Sequence, residues 1–177
     1  ENLVENISKS VAIELLFEEM PTRPTANAIF REARKIFGDI NIINRDENDI
    51  EFSVDKFVAY NEDNTTSPVV LAMGNITDFD DKVAVSEFER TQIWNVANSE
   101  ELLSKYKYAV KIWDVNAQRQ IPKERAIMLV DWLNVALKLY PKCQAIWIKS
   151  AGKLQLAQSI KNLKETGIVK YLYSMVN

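Results

Sequence analysis

A long apolar stretch between two prolines constrains the fold of this chain most. Pro122 suits the first turn of a helix, and Pro141 ends one because the residue before a proline avoids helical geometry. The sequence therefore predicts a helix over 123–140, with strands over 106–115 and 143–149 on either side of it. Two strands that a long helix connects are expected to be parallel neighbours with a right-handed crossover.

The rest of the chain also alternates between apolar runs and turn signals. Strands are predicted over 10–19, 39–44, 49–54, 56–61, 67–76 and 168–176, and helices over 25–38, 82–97, 98–106 and 154–165. Asn98 and Glu101 have the spacing of a capping box at the start of one of these helices. The expected fold class is α/β (α+β), with one mixed β-sheet and helices packed on it.

The composition suits one globular domain over residues 1–177, since 47% of the residues are hydrophobic and 27% are charged. A net charge of -3 argues against a nucleic-acid partner or an anionic membrane surface. No apolar run approaches the roughly 20 residues of a membrane helix. Cys143 is the one cysteine, so no intrachain disulfide can form. We expect a soluble cytoplasmic protein. Because the chain starts at Glu1, we also expect the natural protein to extend upstream.

The chain contains no histidine, which is the strongest negative statement about its chemistry. Without histidine there is no Ser-His-Asp or Cys-His catalysis and no histidine metal site. Cys143 then has few ways to become a nucleophile, and we expect it to be a small buried residue. The acidic clusters lack the ligand spacing of a calcium loop, so we expect hairpin loops there. No metal and no cofactor are expected.

One polar edge of the sheet is the candidate ligand site. If the strands 106–115 and 143–149 are parallel neighbours, their ends place Asp114 beside Lys149, Ser150 and Lys153. Glu18, at the end of the first strand, is expected at the same edge. Such an edge could bind a small anion or a phosphate group. Alternatively, the segment is a structural turn in which Ser150 acts as a cap and the lysines are solvated.

The predicted helix 123–140 has more apolar surface than one sheet can cover. Beside the face assigned to the sheet runs a second stripe, which consists of Met128, Trp132, Val135 and Leu139. Four exposed apolar side chains would be costly, so another element should cover them. We expect a neighbouring helix such as 154–165 to cover the stripe. Otherwise it is an interface with a second copy or with a missing C-terminal segment, anchored by Trp132.

Three stretches of the sequence resemble a mainly bacterial family, domain of unknown function 4261. They are "VAIELLFEEMPTRPTANAIFREAR", "TQIWNVANSEELLSKYKYAVKIWD" and "ERAIMLVDWLNVALKLYPKCQAIWIKSAGKL". The likeness is strongest over 11–39 and 83–156, and in that family a further C-terminal segment often follows. The resemblance implies a fold and a recurring turn with Trp147, Ser150 and Lys153. It implies no reaction, because the family has none assigned.

Two classes of function fit these observations. The first is a non-catalytic protein-interaction domain, such as an adaptor or an immunity-type protein, with a protein partner or a second copy. The second is a small-anion or phosphate-handling enzyme that uses Lys149, Lys153, Asp114 and Glu18. The absence of histidine and the acidic balance favour the first class.

Overall fold

A computed structural model of the chain describes residues 10–93 and 95–162. In chain order the elements are β1 (Ala12–Phe17), α1 (Ala26–Phe37), β2 (Ile40–Arg45), β3 (Asp49–Tyr60), β4 (Thr66–Asp78), α2 (Asp81–Ala84), α3 (Glu87–Gln92), α4 (Ser99–Lys105), β5 (Tyr108–Val115), α5 (Pro122–Leu139), β6 (Ala145–Ile148), a 3-10 turn (Lys149–Ala151), β7 (Lys153–Leu156) and α6 (Ala157–Asn162). Within the described residues, no helix combines the length and the apolarity needed to cross a membrane. The predicted strand 168–176 lies outside them.

The seven strands form one sheet in the order β2-β3-β4-β5-β1-β6-β7, and every neighbouring pair is antiparallel. The prediction of a mixed sheet with a parallel strand–helix–strand unit is therefore wrong. β5 and β6 do run in the same direction, but β1 lies between them and is antiparallel to both. The helix α5 thus connects two strands across a third one, which the local sequence of 106–149 does not indicate.

Helices cover the sheet on both sides, and alternate residues of each strand point to opposite sides. We call the two sides the α1–α5 face and the α2–α4 face. Ile13 and Leu15 of β1 belong to the large core under α1 and α5. Leu16, their neighbour on the same strand, belongs to a smaller core with Val85 and with Leu103 of α4. A single central strand therefore stabilises both layers of the fold.

Several predicted elements are confirmed because their local signals are strong. α1 begins after Thr25, whose side chain accepts a hydrogen bond from the Ala28 N–H, and ends at Gly38 with φ of 73°. Pro122 occupies the first turn of α5, as predicted. The hairpin between β2 and β3 is also confirmed. The two strands predicted over 49–54 and 56–61 are one long strand, β3, with an irregularity in its pairing between Val54 and Val58.

The predicted helix 82–97 is wrong, because the chain breaks into α2 and α3. Val85 turns into extended geometry and is buried in the smaller core. Ser86 then starts α3 with a complete capping box to Glu89. The box predicted at Asn98 and Glu101 does not form, since Asn98 makes no side-chain capping bond to α4.

The predicted helix 154–165 is also wrong in its first half. Residues 153–156 form β7, which pairs with β6, and α6 begins only at Ala157. Gly152 makes this reversal possible because it adopts a left-handed conformation with φ of 58° and ψ of 34°. A Cβ atom on Gly152 would lie 2.7 Å from the Cβ atom of Gln92, so the turn also needs glycine for close packing.

Candidate interaction surface

Asp114 does not belong to an open ligand site, because its carboxylate is buried and fully occupied. Arg125 of α5 donates two hydrogen bonds to it, from Nε to Oδ2 at 2.6 Å and from Nη2 to Oδ1 at 2.8 Å. The backbone N–H of Val11 donates a third at 2.7 Å. A bidentate buried pair of this kind fixes geometry, here between β5, α5 and the start of β1. Asp114 is therefore a structural residue.

The other residues of the predicted anion edge are dispersed. Glu18 follows the end of β1, which lies beside the beginnings of β5 and β6, so it is at the opposite edge of the sheet from Asp114. The prediction that these two carboxylates meet is wrong. Lys149 is exposed and forms an ion pair with Glu89, with 3.3 Å between Nζ and Oε1. Lys153 is half-buried, and burial lowers its pKa. The side chain of Ser150 lies outside the described part of the structure.

The apolar stripe on α5 is inside the protein, so the prediction of an interface there is wrong. Met128, Trp132 and Val135 are buried in the large core, and Leu139 packs against it half-buried. The ring of Trp132 meets Phe52 of β3 edge to face, and its Nε1 donates a hydrogen bond to the Ala72 carbonyl oxygen at 3.0 Å. The sheet thus covers Trp132, and Met128, Val135 and Leu139 belong to the same large core.

Metal ligands are not clustered either. Among residues 10–93 and 95–162, no group of three or more histidine, cysteine, aspartate or glutamate side chains could hold an ion. Cys143 is buried, as predicted, and its Sγ lies 3.2 Å from the carbonyl oxygen of Ala145 as a hydrogen-bond donor.

Side-chain hydrogen bonds hold α2 and α3 together in a tight corner. Asp80 caps α2 by accepting a hydrogen bond from the Lys82 N–H at 3.0 Å. The capping box of α3 joins Ser86 and Glu89 in both directions. Arg90 spans the two helices and donates to the carbonyl oxygen of Asp81 at 2.7 Å and to its Oδ2 at 3.0 Å. Side-chain bonds therefore stabilise two helices that are too short to be stable alone.

This corner presents two large apolar side chains to water. Val83 is 83% exposed and Phe88 is 73% exposed, more than any other large apolar residue that the structure describes. The next is Met20, which is 60% exposed in the loop between β1 and α1. Burying a side chain such as phenylalanine is worth about 1.5–3 kcal/mol, so a rigid corner that leaves two of them in water is unfavourable for an isolated chain. We call Val83 and Phe88 the apolar corner.

The corner is fastened to the sheet at the same turn that carries the predicted lysines. Besides the ion pair between Glu89 and Lys149, Gln92 packs on Gly152. Asn95 donates from Nδ2 to the Leu154 carbonyl oxygen at 2.6 Å. The turn after β6 thus supports α3.

Charged groups continue from the corner to the middle of the sheet. Glu14 of β1 lies directly opposite Lys111 of β5 and Trp147 of β6 on the α2–α4 face. Burial raises the pKa of Glu14, against the opposing influence of Lys111 and Lys149. Burial would likewise raise the pKa of Glu89, but hydrogen bonds from Ser86 and Lys149 outweigh it and leave that pKa below its usual value. Glu89 therefore stays ionised at neutral pH and holds the corner to Lys149.

Sequence reasoning missed the apolar corner because residues 82–97 read as one amphipathic helix. One signal was present. Ser86 and Glu89 have capping-box spacing, which places a helix start inside that stretch and breaks a helix over 82–97 just before Phe88. The exposure of Val83 has no comparable signal in the sequence.

Comparison with known proteins gives no further guide to this surface. No protein-family model, no curated protein and no solved structure matches the chain.

Proposed function

We propose that this protein is a non-catalytic protein-interaction module that binds its partner with the apolar corner. The adaptor or immunity-type function expected from the sequence is of this kind. The single observation that supports the proposal most is the exposure of Val83 and Phe88 on a rigidly capped corner. Large apolar residues at the centre of an interface provide most of its binding energy.

The geometry gives no comparable support to an anion-handling enzyme. The carboxylate of Asp114 already accepts three hydrogen bonds, and Glu18 lies at the other edge of the sheet. Lys149 has Glu89 as its partner. A catalytic group must reach its substrate, and the buried Asp114 cannot do so.

The test uses three forms of the full chain, namely the wild type, a corner variant and a control, to capture a partner from lysate of the cell that makes the protein. The corner variant is Val83→Asp with Phe88→Asp, and the matched control is Met20→Asp, an apolar-to-acidic change at another highly exposed residue. Exposed positions tolerate substitution within about 0.5 kcal/mol, so all three should have the same urea midpoint. The wild-type chain and the control should retain the same partner, and the corner variant should lose it.

Binding of the purified protein to its purified partner then tests the role of the corner. The dissociation constant for the captured partner should rise at least about 100-fold in the corner variant, as expected for two central apolar anchors. It should stay within a factor of about two in the Met20→Asp control. Equal retention and equal affinity in all three forms would contradict the proposal.

A further inference from the structure

Part of the α2–α4 face of the sheet belongs to neither of the two cores. Its residues alternate along β1, β3, β4 and β5 with residues of the large core, so their side chains point to the other side of the sheet. The smaller core lies toward the other end of β1 and β5, at Leu16 and Ala109, and includes none of them. They are Ala12, Ser53, Val70, Ala72, Trp113 and Val115, which we call the sheet patch.

The strand register makes the sheet patch continuous across four strands. Its residues form two rows of direct partners: Ala12, Trp113 and Ala72 in one row, and Val115, Val70 and Ser53 in the next. Direct partners in an antiparallel sheet have their side chains on the same side, about 5 Å apart. Five of the six side chains are apolar, so the patch is an apolar surface that neither core uses.

The sheet patch is only partly shielded from water by its own residues. Ala72 is fully buried and Ser53 is 6% exposed, whereas the other four residues are half-buried. The ring of Trp113 lies close to the β4 backbone, because its Cζ3 would be 3.5 Å from a Cβ atom on Gly74. The Lys111 ammonium lies 5.3 Å from the centre of the same ring. Covering the patch further would be favourable by about 25 cal/mol for each Å² of apolar surface removed from water.

We propose that residues 1–9 of this chain cover the sheet patch. Because β1 and β5 are antiparallel with Ala12 opposite Trp113, the chain enters β1 beside Val115, at the margin of the patch. Nine extended residues reach about 30 Å, and the three steps from β1 through β5 and β4 to β3 span about 15 Å. The segment is therefore long enough to reach every residue of the patch. Its apolar side chains are Leu3, Val4 and Ile7.

The C-terminal residues 163–177 are less well placed for this role. They follow α6, whose Ala157 and Ile160 belong to the large core on the other side of the sheet. β7, the strand before α6, is an edge strand four steps from β4, which is about 19 Å. Residues 163–177 would also have to pass around that edge. The chain that enters β1 starts beside the patch, which favours the N-terminal segment.

Thiol labelling of the full chain tests this inference. Cys143→Ser removes the one cysteine, and Val70→Cys then introduces a thiol in the middle of the sheet patch. On this background, Leu3→Asp with Ile7→Asp should raise the rate of labelling by iodoacetamide, an uncharged reagent, at least about tenfold. The reason is that acidic side chains would not stay on an apolar surface.

The matched control makes the same change in charge within the same segment. Asn2→Asp with Asn6→Asp should change the labelling rate less than about twofold, because polar side chains are exchanged for polar ones. Circular dichroism verifies that each variant is folded. Val115→Cys provides a second thiol in the patch if the chain with Val70→Cys does not fold.

The protein concentration separates residues 1–9 of the same chain from a second copy. Cover by the chain's own segment gives a labelling rate that does not depend on concentration, whereas a second copy would slow labelling as the concentration rises. Such a dependence overturns the inference, and so do equal labelling rates in the three folded forms. The inference does not involve the apolar corner, so capture of a partner by the corner tests the proposed function separately.

Discussion

Two fully buried tryptophans, one on each side of the sheet, show how different the two faces are. Trp132 on the α1–α5 face donates its indole N–H to the Ala72 carbonyl oxygen at 3.0 Å. Trp147 on the α2–α4 face is equally buried, but its Nε1 has no hydrogen-bond partner among the described residues. The Lys149 ammonium lies 5.8 Å from the centre of its ring.

The same contrast extends to the charges on the two faces. On the α1–α5 face the buried ion pair of Asp114 and Arg125 is bidentate and shielded, and apolar side chains fill the space around it. On the α2–α4 face, Glu14, Lys111, Lys149 and Glu89 influence one another across a partly open surface. The first face is organised for stability. The second holds short helices in a fixed position and leaves apolar groups on them exposed, which is the arrangement that the proposed interaction would use.

The largest expected effect concerns the buried ion pair. Arg125→Met leaves the Asp114 carboxylate buried without a cation, which should lower the free energy of unfolding by about 3–5 kcal/mol. Urea unfolding measures it. The double variant Asp114→Asn with Arg125→Met removes both charges and should recover most of the loss. A single-variant loss under about 1 kcal/mol would mean that the α1–α5 face does not depend on this pair.

The two tryptophans allow a matched comparison. Trp132→Phe removes a buried hydrogen bond to the Ala72 carbonyl oxygen, whereas Trp147→Phe removes no such bond. Both changes leave a similar cavity. Trp132→Phe should therefore be more destabilising, by about 1 kcal/mol, in urea unfolding of the two variants side by side. Equal losses would show that the indole bond does not distinguish the faces.

A smaller effect is expected at the corner itself. Ser86→Ala removes the hydroxyl that accepts from the Glu89 N–H, and loss of such a cap costs about 1 kcal/mol. Because α3 belongs to the α2–α4 face, amide hydrogen exchange should accelerate in α3 and stay unchanged in α5. Faster exchange in both helices would indicate that the corner and the large core unfold as one unit.

The smallest effect is a pH dependence at Glu14. Its folded-state pKa is raised, so the ionised form is disfavoured in the folded state. The fold therefore loses stability as the pH rises from the unfolded-state pKa through the raised folded-state value. Glu14→Gln should melt at a higher temperature than the wild type near pH 7, and the difference should vanish in acid. Glu47→Gln, at an exposed glutamate in the turn between β2 and β3, should show no such difference. A wild-type chain that is more stable than Glu14→Gln at pH 7 would contradict the sign.

Local signals of the sequence predicted elements well where a cap or a proline marks a boundary. Gly38 and Pro122 each fix one end of a helix, and the structure confirms both. The sequence did not predict the apolar corner, because Val85 adopts extended geometry and packs into the smaller core. That contact is a tertiary one. Helical periodicity cannot report a break whose cause lies on another element.

The candidate site was mispredicted because the strand order is not local information. The edge with Asp114, Lys149 and Glu18 was assembled on the assumption that β5 and β6 are neighbours. β1 instead lies between them and runs antiparallel to both, which puts Glu18 at the far edge. A buried arginine from α5 pairs with Asp114. Residue types at strand ends predict that an edge is polar; they do not predict which side chains meet there.

The central position of β1 has a consequence for how the chain folds. β1 pairs with β5 through Ala12 and Trp113, and with β6 through Glu14 and Trp147, so both of its neighbours are made long after it during synthesis. Contacts between such distant segments make folding slow, on the order of milliseconds to seconds. Until residue 148 has left the ribosome, the apolar side chains of Ile13, Leu15 and Phe17 have no completed sheet to enter. Chaperones that hold extended apolar segments would therefore meet this chain at β1, and a nascent chain arrested before β6 would be prone to aggregate through β1.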